Sequence, residues 1–191
     1  MLTFGILLAI VVVLVLWVVG AYNGLISLKN QVLNAWKQID VQLKRRHDLI
    51  PNLVNTVKGA MNFEKGTLDA VISARAKAVS ATGVKETARA EGELTQALGR
   101  LFALTEAYPD LKSNANIMAL QEELTSTENK VGFARQLYND VATQYNTKQA
   151  TFPTLLVAGL AKASPAELWE IEDSAERAVP KVDLSLNKPA S

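Results

Sequence analysis

Six polar side chains sit in otherwise apolar helical stripes, and they are the residues of this 191-residue chain whose types could do chemistry. Asp40, Gln42, Arg46 and His47 lie on one segment, and Glu128 and Arg135 on another. General acid–base work needs a donor and an acceptor held at one reacting atom. These carboxylates belong to no recognisable nucleophile motif, phosphate loop or metal-ligand spacing. His47 is the single histidine and there is no cysteine. A multi-histidine or thiolate-ligated metal site within one chain is therefore excluded. Two readings remain. The first is a buried polar layer that sets helix register, in which removing one charged partner costs about 3–5 kcal/mol. The second is a site for a small ligand or a partner peptide. The layer is the preferred reading, and no catalysis, metal or cofactor is expected. His47 alone reads as a hydrogen-bonded or exposed histidine, and Tyr138 and Tyr145 as core.

The elements that must position these residues are helices. Leu25, Leu28, Val32, Ala35, Ile39, Gln42, Arg46, Leu49, Leu53, Thr56, Ala60 and Phe63 keep an unbroken 3-4 spacing. A second stripe, Leu33, Trp36, Asp40, Leu43, His47, Ile50, Val54 and Val57, runs beside it. Two adjacent stripes suit a bundle helix with several neighbours rather than a two-stranded coiled-coil seam. The pattern predicts a first helix from Leu25 towards Ala81, kinked at Pro51, since the phase survives the proline. Ala81-Thr82-Gly83 is a turn. A second helix is predicted from Val84 to Ala107, ended by Tyr108-Pro109. A third, with Ile117, Leu120, Leu124, Thr127, Val131, Ala134, Tyr138, Val141 and Tyr145 on one face, begins near Ser113 or Asn114 and stops before Phe152-Pro153. Ser164-Pro165-Ala166-Glu167 has the pattern of an N-cap, N1 and N3, so a last helix is predicted there, ending before Pro180. A merger of the second and third helices through Pro109 is the alternative for matching helix lengths.

The first twenty residues, MLTFGILLAIVVVLVLWVVG, carry no charge. Leu2 to Val19 would span about 27 Å as a helix, close to the roughly 30 Å hydrocarbon core of a bilayer. Trp17 falls where an indole meets the headgroups. An anchor is preferred over a cleaved signal peptide, because no Lys or Arg precedes the run and the run is long. Lys29, Lys37 and Lys44-Arg45-Arg46 follow it, which favours a cytoplasmic body. That basic cluster lies too far from the anchor to touch lipid while the helix stands upright. A formal net charge of +1 implies no nucleic-acid partner. Ala, Leu, Glu, Lys, Gln and Asn dominate the remainder, and strands have little support.

Several motifs now group. Tyr22-Asn23, Asn34-Ala35-Trp36, Gln38 to Arg46 and Asp48-Leu49-Ile50-Pro51-Asn52-Leu53-Val54 lie on the first segment. Tyr108-Pro109-Asp110-Leu111-Lys112, Thr127-Glu128-Asn129-Lys130, Ala134-Arg135, Tyr138-Asn139 and Tyr145-Asn146 follow. Together they resemble the LemA family over nearly the whole chain. Asn62-Phe63-Glu64 departs from that pattern, where a histidine often precedes the glutamate, and the tail after Pro180 is short. The resemblance implies a bacterial single-pass membrane protein with a helical-bundle body and no established activity, cofactor or substrate. One branch of that family is associated with magnetosome membrane formation.

The expected fold is all-α: a transmembrane helix over residues 1–20, an antiparallel, up-down-up-down bundle of four-helix type over 21–180, and an irregular tail over 181–191. The expected function is a scaffold in the bacterial plasma membrane, acting through self-assembly or unknown protein partners. The alternatives are a membrane-remodelling protein whose oligomers organise lipid, and a small-ligand sensor using the polar layer. Surplus apolar surface at Leu25, Leu33, Trp36 and Leu43 is expected to contact a second copy.

Overall fold

The structure, a computed structural model, describes residues 1–60 and 65–170. All its regular elements are helices: α1 (Leu2–Ala60), α2 (Lys65–Ser80), α3 (Val84–Ala107), the short α4 (Pro109–Lys112), α5 (Ala115–Ala150) and the short α6 (Leu155–Ala158). The expected heptad residue Phe63, the expected helix residue Ile171 and the tail lie outside the described residues.

Helix α1 has 59 residues, which corresponds to about 88 Å. Its first third stands apart from the body: an 18-residue stretch of mean hydropathy 3.1 is wholly uncovered by the rest of the chain. It is the one described helix long and apolar enough to cross a membrane. Beyond it, α1 runs without interruption through Pro51, as the surviving heptad phase implied. Proline has no N–H, so the His47 carbonyl four residues earlier loses its helical partner. Arg75 Nε from α2 donates to that carbonyl at 2.8 Å.

This contact also corrects the expected length of the first helix. In a continuous helix, residues 47 and 75 would stand about 42 Å apart. Instead the chain reverses after Ala60, and α2 runs back along α1. Gly59 and Gly66, each a poor helix residue, bracket the change. A second reversal follows at Gly83, whose φ of +76° favours glycine. There the Thr82 N–H and hydroxyl both donate to Glu86 Oε2. Lys77 pairs with Glu93 across the resulting α2–α3 hairpin at 2.9 Å.

Tyr108 leaves the helical region before Pro109, so α3 and α5 are separate helices, not one return helix. Asn114 caps α5, its Oδ1 accepting from the N–H groups of Asn116 and Ile117. The pairs Arg45–Glu123 and Trp36–Tyr138 set α5 antiparallel to α1.

The core has two parts. Far from the anchor, Ile50, Leu53 and Val57 of α1 pack with Leu68 and Val71 of α2, Leu94 and Leu101 of α3, and Ile117 and Leu124 of α5. Nearer the anchor, Leu25, Val32, Ile39 and Leu43 pack with Val131, Tyr138, Val141 and Tyr145 of α5 and with Ala158, Ala161 and Trp169. Four long helices thus share only the far core. The predicted last helix is absent over residues 164–170, which are irregular. A helix this short is marginal by itself, and α5 offers its backbone better partners, described below.

Candidate functional site

A polar layer separates the two cores. Each of its members lies on or beside the apolar stripe of its helix, which turns it towards its neighbours. Arg46 and His47 sit between Leu43 and Ile50 on α1, Glu91 between Ala88 and Leu94 on α3, and Glu128 between Leu124 and Val131 on α5. Glu91, 2% exposed, is the hub. Its Oε2 accepts from Arg46 Nη1 at 2.9 Å, and its Oε1 meets His47 Nε2 at 2.6 Å. Arg46 Nη2 donates to Thr95 Oγ1 at 2.8 Å and lies 2.9 Å from Glu128 Oε2. The Glu128 contact is electrostatic and not an aligned hydrogen bond, because Oε2 has no hydrogen-bond partner of proper geometry. Arg135 extends the set, 4.0 Å from Glu128, with its guanidinium over the Trp169 ring at 5.6 Å.

Arg46, His47, Glu128 and Arg135 are therefore brought together as expected. Two others are not. Asp40 points outward, where partial burial still raises its pKa above the usual carboxylate value. Gln42 leaves the layer for a groove on another face, with its Oε1 buried and unpartnered. Glu91 and Thr95 complete the layer and were missed. A charged residue within the stripe Val84, Thr87, Glu91, Leu94 was the available signal.

Chemically the layer is closed. Both Glu91 oxygens are engaged by cations or a ring nitrogen, and no carboxylate is poised towards a substrate-sized cavity. The cleft beside Arg46, Thr95, Phe102 and Glu128 measures about 190 Å³, below the roughly 300–1,000 Å³ of ordinary ligand pockets. Among the described residues, no group of three or more His, Cys, Asp or Glu is placed to hold a metal ion.

Two further regions are built around α5. Leu33 and Val41 of α1 and Phe133 and Leu137 of α5 are exposed large apolar residues. Between α1 and α5 lies an open groove of about 500 Å³ that includes Val41, Phe133 and Leu137, with Lys37 and Lys130 at its sides. On another face, residues 164–170 lie along α5. There Trp169, 4% exposed, packs against Trp36 at a tilt of 40° with ring centres 6.0 Å apart, and Tyr138 meets Trp36 edge-on.

The arrangement revises the expected contact with a second copy. Leu25 and Leu43 are 1% and 4% exposed inside the chain's own core, and Trp36 packs on Tyr138 and Trp169. Helix α5 and residues 155–170 cover that surface, leaving Leu33 alone of the four exposed.

The sequence model of the LemA family matches residues 35–184, a span that contains the polar layer and the whole of α5. The chain belongs to the LemA family. It is 31% identical over 142 residues to "Protein LemA" of Metamycoplasma hominis, covering 73% of this chain and 64% of that one. It is 22% identical over 175 residues to "Magnetosome protein MamQ 2" and "Magnetosome protein MamQ 1" of Paramagnetospirillum magneticum, covering 78% of this chain and 64% of each. The chain thus spans under two thirds of the length of these relatives. Family membership and the apolar helix together indicate a membrane-associated protein.

Proposed function

We propose that this LemA-family protein is a single-pass, membrane-anchored helical scaffold that acts through protein contacts, self-assembly included. The exposed apolar groups of Val41, Phe133 and Leu137 in the α1–α5 groove, with Leu33 also exposed on α1, carry the reading. Contiguous apolar surface rimmed by charge marks an interaction face. The closed polar layer supports an architectural role for the buried charges, and it weighs against both the ligand-sensor reading and catalysis. Anchors in one membrane hold copies parallel and raise their effective concentration. The same scaffold would work in the bacterial plasma membrane with its body in the cytoplasm, as Lys29, Lys37 and Lys44-Arg45-Arg46 after the anchor favour.

The test is Leu33→Glu with Phe133→Glu in the full chain. The wild type in nanodiscs should run above monomer mass, and the variant should run as monomer with unchanged helicity. A wild type that is monomeric in nanodiscs and forms no crosslinks in cells would overturn the reading. For orientation, Gln136→Cys should resist an impermeant thiol reagent in intact cells, and ready labelling would place the body outside. Two relatives whose names refer to the magnetosome favour a second reading, in which oligomers organise lipid. Electron microscopy of vesicles carrying the protein tests it, since unchanged vesicle shape at high protein density would exclude it.

A further inference from the structure

Two Tyr-Asn pairs stand seven residues apart on α5, at 138–139 and 145–146. The tyrosines face the core, and each asparagine takes hold of one residue of the 164–170 strap by its backbone. Asn146 Nδ2 donates to the Ala166 carbonyl at 2.9 Å, and its Oδ1 accepts from the Ala166 N–H at 2.8 Å. Asn139 does the same for Trp169, at 2.9 and 2.8 Å. Tyr138 Oη donates to the Glu167 carbonyl at 2.7 Å. The registers match. Seven helical residues rise about 10.5 Å, and three extended residues span about 10 Å. A side-chain amide presents one donor and one acceptor, so it pairs with an extended residue as a neighbouring strand would. Backbone pairing of this kind is indifferent to side chains. Selectivity comes from one place, the pocket of Trp36, Tyr138 and Arg135 that holds the Trp169 indole.

This is the construction of an extended-peptide site, occupied by the chain's own strap. We propose that the site also accepts the strap of a second copy, so that neighbouring chains exchange residues 164–170 reciprocally. The inference rests on the self-assembly reading above but uses a different face of α5 from the Val41–Phe133 groove. Every copy carries the required segment, with a tryptophan at the anchoring position. The strap follows the buried turn at Val157 and Ala161. Lys162, at the end of that turn, has φ of +45°, in the left-handed region that costs a non-glycine residue energy, and re-aiming the strap there gives up one backbone bond, from the Ala163 N–H to the Ala158 carbonyl. The four residues from Lys162 to Ala166 reach about 13 Å when extended, beyond the roughly 8–10 Å that separates packed helices. Exchange keeps each hydrogen bond of the clamp and changes only which copy supplies it, the condition for low-cost swapping. A shared membrane supplies the concentration.

The chain has no native cysteine, so the exchange can be trapped. One full-length copy carries Thr143→Cys, which lies on α5 between the two asparagines. A second, differently tagged copy carries Glu167→Cys, which the register places opposite. The two are co-expressed in one membrane and treated with a short bis-maleimide. A mixed crosslinked dimer is expected. Adding Asn139→Ala and Asn146→Ala to the Thr143→Cys copy should lower its yield at least about tenfold, since four hydrogen bonds are lost. Trp169→Ala in the Glu167→Cys copy should do likewise; this change leaves both helices of the clamp intact. Moving the two asparagine changes to the Glu167→Cys copy frees its strap and should raise the yield. No mixed dimer, or one insensitive to which copy bears the changes, would overturn the exchange. Oligomers that survive the asparagine changes but disperse with Leu33→Glu and Phe133→Glu would leave the scaffold standing and remove the exchange alone.

Discussion

Glu91 shows what one buried side chain controls. Its two oxygens pair with Arg46 and meet His47 where all three side chains are buried. Glu91→Ala leaves an uncompensated arginine between two apolar cores and is expected to cost about 3–5 kcal/mol in denaturant unfolding. A cost below 1 kcal/mol would mean the layer is not dry. Tyr138 offers a test by pH. Burial, and after it the charge of Glu167, raises its pKa above 10.0. A group whose folded pKa is raised contributes stability that is complete below the unfolded value and lost as pH rises through the folded one. The stability difference between the protein and its Tyr138→Phe variant is therefore expected to hold steady below about pH 10 and shrink above it. Denaturation midpoints measured across the alkaline range check this, and a difference that shrinks already at neutral pH would contradict it.

At the scale of elements, Pro51 and Arg75 act as a pair on two helices. Arg75→Ala leaves the His47 carbonyl without its donor, at an expected cost of about 1–3 kcal/mol. Pro51→Ala supplies residue 51 with an N–H that can take the same carbonyl. The cost of Arg75→Ala should then be smaller in the Pro51→Ala background, and additive effects in the four-protein cycle would refute the pairing. The cap of α5 is a simpler case: Asn114→Ala removes the acceptor for two N–H groups, at an expected cost of about 1 kcal/mol by thermal melting.

At the scale of the whole molecule, the anchor and the body are energetically separate. Met1 to Trp17 are exposed to a residue and lend nothing to either core. Removing residues 1–20 is expected to yield a protein extractable without detergent, with the melting temperature and helicity of the full chain. A truncated protein with little helix by circular dichroism would show that the anchor is part of the fold.

Helix identity was legible in the sequence because heptad spacing depends only on which side chains avoid water. The anchor, the continuation of α1 through Pro51, the turn at Gly83, the end of α3 before Pro109 and the start of α5 at Asn114 all carry local signals. Arg46, His47, Glu128 and Arg135 were legible as a layer for the same reason, being charges at apolar positions. The reversal after Ala60 was not, since Leu68, Val71, Ala74 and Ala78 extend the apolar pattern and only the Arg75 contact reveals that they lie on a helix running back. Residues 164–170 show the limit most plainly. Ser164, Pro165 and Glu167 have the types and spacing of a helix start, and local propensity is all that a short segment offers. Asn139 and Asn146, some twenty to thirty residues away in sequence, offer its backbone donors and acceptors, and Trp36 offers its indole a ring. Local chemistry thus set each long helix, while long-range competition for one backbone decided the strap and, with it, which apolar surface stayed exposed.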